Sequence, residues 1–121
     1  MPERRRLSVT AIADLAIVRF IDRKIVDSTN IEEMGEEMLG LVEKDRFKDV
    51  ILNFDGVEFL SSAALNKLII MDKAVKNVGG KLQLCSFKAE IMEVFTITRL
   101  NKVFDIKKTE SDALKALGVT I

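Results

Sequence analysis

Two adjacent hydroxyls, Ser61 and Ser62, stand where a strand-like pattern gives way to a helical one. The short apolar piece Val57–Leu60 leads into them, and apolar residues then recur at helical spacing from Leu65 to Leu68. A serine directly before such a pattern is a typical N-cap, whose oxygen accepts from unpaired backbone N–H groups. Those N–H groups and the helix dipole favour negative charge at this junction. This junction is the one stretch that indicates a specific chemistry.

The other reactive residue types indicate neither catalysis nor metal binding. The chain has no His, Trp or Tyr, and its single cysteine, Cys85, falls in a strand pattern where a buried thiol is the ordinary outcome. Since no nucleophile, base and orienting group can be assembled, we expect no enzyme, no catalytic residue and no cofactor. Glu32, Glu33, Glu36 and Glu37 are interpreted as the solvated face of a helix, so no metal site is expected.

The length and composition predict one domain, residues 1–121, with an aliphatic core: 48% of the residues are hydrophobic but only 6% are aromatic. Nineteen basic residues balance 19 acidic ones, which gives no electrostatic reason to expect nucleic acid. Residues 1–6, which include the basic run Arg4–Arg6, are interpreted as a loose tail. No apolar stretch approaches the about 20 residues of a membrane span, and no signal peptide is recognisable, so we expect a cytoplasmic protein without a membrane partner.

Strand and helix patterns alternate before the paired serines. Leu7–Ala13 and Leu15–Phe20 predict a hairpin that turns at Asp14. A helix then follows Ser28–Asn30, which offer three alternative caps. The nearly unbroken apolar run Val50–Phe54 predicts a strand buried on both faces.

The alternation continues after the serines. The second helix runs to Gly79-Gly80, a typical C-cap, and Lys81–Ser86 predicts the next strand. A short helix ends near Thr98, Lys102–Ile106 predicts the last strand, and Thr109 caps the final helix. This pattern is typical of an α/β domain with a mixed, mostly parallel sheet and helices packed on it.

Four segments in order resemble those of STAS domains, specifically of bacterial anti-sigma factor antagonists. Asn53–Leu65 resembles the signature in which an aromatic residue precedes Asp-Ser-Ser/Thr-Gly-Leu at a helix start. Gly79–Cys85 resembles the Gly-Gly strand of these domains, Phe95–Phe104 the segment that closes on Phe, and Lys24–Asp27 the apolar-apolar-Asp element. The resemblance covers roughly the whole chain and implies the element order β-β-α-β-α-β-α-β-α.

Alignment on Phe59 implies that Ser62 is the phosphorylated serine, and it exposes two departures from the family pattern. Ser61 replaces the acidic residue that precedes the phosphorylated serine, which removes a charge beside the modification site. Ala64 replaces Gly, which favours the helix by about 1 kcal/mol.

The resemblance implies a binding module: the unmodified protein docks an anti-sigma factor that is a GHKL-type serine kinase, releases a sigma factor, and is inactivated by phosphorylation at Ser62. A PP2C-type phosphatase and a weak homodimer are compatible with this function, and nucleotide binding stays open. The alternative is a constitutive, non-phosphorylated STAS scaffold or regulatory subunit of a signalling or transport complex. The residues expected to touch the partner are Asp27, Leu60, Ser61, Ser62, Ala63 and Asn66. For Asp27, which is included on the resemblance alone, a helix-capping or loop-fixing role is an equally good interpretation.

Overall fold

The computed structural model describes residues 4–119 of the chain. In chain order the elements are β1 Leu7–Ile12, β2 Leu15–Phe20, β3 Lys24–Ile25, α1 Ser28–Glu43, β4 Asp49–Asn53, β5 Phe59–Leu60, α2 Ser62–Asn77, β6 Leu82–Cys85, α3 Ala89–Ile97, a 3₁₀ turn Leu100–Lys102, β7 Asp105–Lys107 and α4 Glu110–Ala116. The expected alternation of strands and helices is therefore confirmed.

Five strands form the main sheet in the order β1-β2-β4-β6-β7. The first pair is the antiparallel hairpin, and the other three pairs are parallel. β4 lies in the centre, and its residues Val50, Ile51 and Leu52 are all 0% exposed. The apolar run of β4 thus predicted correctly a strand covered on both faces, because successive side chains point to opposite sides of the sheet.

Helices cover both faces of this sheet. The larger core joins β4 residues Val50 and Leu52 to buried side chains of α1, α2 and α3. The smaller core joins Ile51 and Cys85 to Ala113 of α4. This arrangement of helices on a mostly parallel sheet is the predicted fold class.

The second helix ends at Gly79-Gly80, as its sequence predicted. Gly79 adopts φ +75°, a left-handed conformation that glycine reaches without strain. At Gly80 a Cβ would stand 1.8 Å from the carbonyl oxygen of Lys48, so this position also excludes a side chain.

The predicted start of the last strand was wrong, and two short strands were missed. The last strand begins at Asp105 and not at Lys102, because residues 100–102 form a 3₁₀ turn that follows Arg99 at φ +62°. The two-residue strands β3 and β5, which pair in parallel as a second small sheet, were not predicted.

Part of the predicted loose tail, residues 4–6, makes contacts with the rest of the domain. Arg6 donates from its backbone N–H to Glu37 at 3.1 Å and from its guanidinium to Asp22 at 3.0 Å, and Arg4 pairs with Asp45 at 2.6 Å. Residues 1–3 of the predicted tail lie outside the described residues. Glu37, expected on a solvated helix face, therefore helps to hold the start of β1.

Within residues 4–119, none of the helices combines the length and the apolar character needed to cross a membrane.

Candidate functional site at the start of helix α2

The two adjacent serines differ in role: Ser61 caps helix α2, and Ser62 presents an exposed hydroxyl. Ser61 is the N-cap of α2: its backbone is extended at φ −81°, and its hydroxyl oxygen accepts from the Ala64 N–H at 3.3 Å. Ser62 is the first residue of the helix, and its side chain is exposed. The cap thus satisfies one helix N–H, and the neighbouring hydroxyl stays open to solvent.

The small β3–β5 sheet brings the starts of two helices together. The register pairs Lys24 with Phe59 and Ile25 with Leu60, and the Ser61 N–H donates to the Ile25 carbonyl at 3.0 Å. One strand leads into α1 and the other into α2, so both helices begin at the same side of the small sheet. Their positive N-terminal ends therefore lie side by side.

An ion pair and a close approach fix the spacing of these two helices. The ammonium of Lys67 in α2 lies 3.2 Å from a carboxylate oxygen of Glu32 in α1. The stem of Lys67 crosses α1 at Gly35, where an added Cβ would lie 2.8 Å from its Cδ. The buried Gly35 therefore allows the two helices to approach with a lysine stem between them.

Asp27 has a structural role that competes with its expected role in partner contact. Its carboxylate accepts from the Asn30 N–H at 3.1 Å and caps α1, so the predicted caps Ser28, Thr29 and Asn30 were wrong. Asp27 is nevertheless exposed and directly follows the pair of small strands. The same carboxylate can hold the helix start and face a partner.

The apolar part of the candidate surface differs from the prediction. Leu60 is only 6% exposed and packs into the core, which makes it unavailable to a partner and corrects its expected role. Its neighbour Phe59 is 53% exposed, and Val26 is 49% exposed. Because side chains alternate along a strand, the register that turns Ile25 and Leu60 inward turns Phe59 and Val26 outward.

The predicted contact residues of α2 itself lie on its open side. Ala63 and Asn66 are exposed, like Ser62, whereas Ala64 is 0% exposed. Ser62 and Asn66 are four residues apart and so share a helix face. A candidate contact surface, which we call the docking surface, comprises Val26, Asp27, Phe59, Ser61, Ser62, Ala63 and Asn66.

The first turn of α2 contains no acidic residue. The partial positive charge of this helix start is therefore not offset from within its own first turn. An anion attached to Ser62 would lie beside backbone N–H groups and the dipole end, which is a favourable setting for phosphate.

A polar network that the sequence did not predict lies at the start of α4. Glu110 accepts from Asn53 at 2.9 Å and from Arg19 at 3.0 Å. Asn53 is 3% exposed, and its side-chain Oδ1 also accepts from the Asp55 N–H at 2.8 Å. The network therefore joins β2, β4 and α4 and shapes the turn that leads from β4 towards β5.

Cys85 lies under this network, buried as predicted. It is 0% exposed, and burial raises the pKa of its thiol, an effect that the hydrogen bond with Ser86 opposes. A neutral, enclosed thiol of this kind is unreactive in the folded state.

The chain matches known proteins over most of its length. Residues 7–113 match the family model of the STAS domain. A protein of Bordetella bronchiseptica, BtrV, named as a candidate anti-sigma factor antagonist, is 29% identical over 97 residues, which cover 80% of this chain and 83% of that protein.

Solved structures share the fold at lower identity. An anti-sigma-factor antagonist (STAS) domain protein from Planctomyces limnophilus aligns with a TM-score of 0.82 and 24% identity, over 93% of this chain and 97% of that one. The Bacillus cell fate determinant SpoIIAA in its phosphorylated form aligns with a TM-score of 0.69 and 15% identity, over 92% and 98%. These likenesses confirm the predicted fold.

Proposed function

The chain belongs to the STAS domain family, and we propose that it is an anti-sigma factor antagonist whose docking is switched off by phosphorylation of Ser62. One observation carries the proposal: an exposed hydroxyl at the first position of α2 directly follows the small β3–β5 sheet, at which Val26 and Phe59 are exposed apolar residues. Related chains are named for this function, and one neighbour of the same fold is described in a phosphorylated form.

The apolar part of the docking surface supplies the affinity in this proposal. Phe59 is 53% exposed, whereas the other phenylalanines are buried or half-buried. Partly exposed aromatic residues are enriched among interface hot spots, because they bury a large apolar area on binding. Phe59 and Val26 therefore make the principal apolar contact with the partner.

Phosphate on Ser62 acts as the switch because the free protein tolerates the added charge and the complex with the partner does not. In the free protein the added charge of about −1.5 to −2 lies over the start of α2, where helix N–H groups and the dipole accommodate it. In the complex a partner surface closing over Ser62 would have to desolvate or repel that charge, at a cost of several kcal/mol. Modification thus blocks docking without unfolding the protein.

The partner in this proposal is an anti-sigma factor that is also a GHKL-type serine kinase, since it would both bind the unmodified surface and phosphorylate Ser62. A PP2C-type phosphatase would restore the unmodified state. Both enzymes would act in the cytoplasm, and the protein itself serves as a binding module.

Binding of the Ser62→Asp and Ser62→Ala variants to the anti-sigma kinase from the native cell tests the proposal. We expect Ser62→Ala to bind like the unmodified protein and Ser62→Asp to bind at least about 30-fold more weakly, equivalent to about 2 kcal/mol. Ser111→Asp is the matched control, because it places the same charge at the start of α4, where Ser111 is exposed. Equal affinity of both Ser62 variants would remove the switch.

The second candidate function is a constitutive STAS subunit that never cycles. The observation that favours it is Ser61, which stands where the family signature has an acidic residue and is used here as the helix cap. Intact-mass measurement of the protein from its native cell separates the two functions. A constitutive subunit shows no species heavier by one phosphate under any growth condition, whereas the antagonist shows one.

A further inference from the structure

The two edges of the main sheet are protected to very different degrees. β7 is three residues long, and two of its side chains, Asp105 and Lys107, are charged and form an ion pair at 3.0 Å. β1 is six residues long and has no charged side chain. Edge strands are usually kept short, charged or covered, because their unpaired backbone groups can recruit another strand. β1 is neither short nor charged.

The open backbone groups of β1 belong to Val9 and Ala11. The hairpin ladder includes the Ile21 N–H, which donates to the Arg6 carbonyl at 3.0 Å. In an antiparallel pair, the residues whose backbone groups bond to the partner strand alternate with residues whose groups point away. Counted from Arg6, the backbone groups of Ser8, Thr10 and Ile12 therefore bond to β2. Val9 and Ala11 therefore point their N–H and C=O groups to the outer side, where β1 has no neighbouring strand among the described residues.

Only the middle of this edge is open. At its first residue, the Leu7 N–H donates to a carboxylate oxygen of Glu37 at 3.3 Å, so α1 closes that end. At the other end, Ala13 adopts φ +52° and turns the chain into β2. The exposed side chains between these ends are small and uncharged: Ser8, Thr10 and Ala11.

We propose that β1 is the contact of a homodimer, in which two copies pair their β1 strands antiparallel across a twofold axis at Thr10. In this register Val9 of each copy faces Ala11 of the other. Each of these two facing pairs exchanges two N–H···O=C bonds, which makes four bonds in all. The two Thr10 side chains face each other at the axis, a favourable cross-strand pair.

Charge complementarity selects a second copy as the occupant. Antiparallel pairing lays the start of one β1 near the end of the other, which brings Arg5 of one copy near Asp14 of the other, and the axis repeats this match. The neighbouring Arg4 and Arg6 are already paired with Asp45 and Asp22 within the chain. Arg5 and Asp14 are both exposed. The contact is short, so the dimer is weak and assembles only at high protein concentration.

Sedimentation of the full chain across a concentration series up to millimolar tests the homodimer. We expect a monomer–dimer equilibrium for the unmodified protein and an association at least about tenfold weaker for Thr10→Lys, which sets two like charges opposite each other at the axis. Asn77→Lys is the matched control: Asn77 is exposed in the last turn of α2, so it adds the same charge away from β1. This control should dimerise like the unmodified protein.

A second variant, Ala11→Pro, tests the same contact if Thr10→Lys does not fold. Ala11→Pro removes an N–H that points outward and so leaves the ladder with β2 intact. It should also be monomeric, and the Val9 and Ala11 amides of the unmodified protein should exchange more slowly as concentration rises. An unmodified protein that stays monomeric at millimolar concentration overturns the proposal, as does a Thr10→Lys or Ala11→Pro variant that dimerises normally.

Discussion

The starts of α2 and α4 have the same kind of hydroxyl cap, but they differ in the charge of their first turns. At α2 the Ser61 hydroxyl accepts from a helix N–H, the first turn has no acidic residue, and Ser62 is exposed. At α4 the Thr109 hydroxyl makes the equivalent bond at 3.1 Å, but Glu110 and Asp112 occupy the first turn. Glu110 is itself held by Arg19 and Asn53.

A hydroxyl cap alone therefore does not define a functional site. The positive end of α4 is already offset by its own acids and tied to the sheet, so it serves the fold. The positive end of α2 is not offset by any acid in its first turn and lies beside exposed apolar side chains, so it is suited to a reversible modification that a partner can sense.

Thiol labelling should show the largest contrast between the two regions. A Ser62→Cys side chain, placed in a Cys85→Ala background, should react at least about as fast as a peptide thiol, because a helix N-terminus lowers thiol pKa. The native Cys85, buried near the start of α4 with a raised pKa, should react at least about a thousandfold more slowly. Similar rates for the two thiols would show that the two regions are equally accessible.

Loss of Glu110 should destabilise the protein more than any surface change at α2. Glu110→Ala leaves the buried Asn53 amide without its acceptor, which should lower the free energy of unfolding by about 2 kcal/mol. Glu110→Gln keeps an acceptor oxygen and should cost less than half of that. Urea unfolding measures both; equal losses would mean that the negative charge matters more than the hydrogen bond.

The two caps should contribute similarly to stability. Ser61→Ala and Thr109→Ala should each lower the free energy of unfolding by about 1 kcal/mol. Ser61→Gly should recover most of the loss at α2, since glycine is a tolerated N-cap. Thermal unfolding followed by circular dichroism gives the comparison, and a Ser61→Ala variant as stable as the unmodified protein would contradict the cap.

An added negative charge should have the smallest effect on stability. It should stabilise the protein at the start of α2 but not at the start of α4. Ser62→Asp should stabilise the free protein by about 0.5 kcal/mol at low salt, because no acid in the first turn of α2 offsets the dipole there. Ser111→Asp adds a third acid to the first turn of α4 and should give no gain. High salt should abolish the gain at Ser62. A gain of equal size at Ser111 would show that the two helix starts do not differ electrostatically.

The features that local sequence determines were predictable. The strand β4 follows from its apolar run, and the end of α2 follows from Gly79-Gly80, because burial on both faces and a left-handed turn each leave a local signature. The position of the paired serines at a helix start follows from the same kind of local pattern.

The features that depend on distant pairing were not predictable. The choice between Phe59 and Leu60 as the exposed residue depends on the register with β3, far away in the chain. The Glu110 network joins residues that are 91 and 57 positions apart, and no local pattern indicates which side chains will meet. The apolar part of the docking surface and the role of Glu110 therefore required the structure.

The most direct test of the switch is a titration of the anti-sigma kinase with protein that carries phosphoserine at position 62. The proposed function predicts that the phosphorylated protein keeps its fold and its thermal stability and binds at least about 30-fold more weakly than the unmodified protein. Undiminished binding, or weakened binding accompanied by unfolding, would contradict a switch that acts at the docking surface alone.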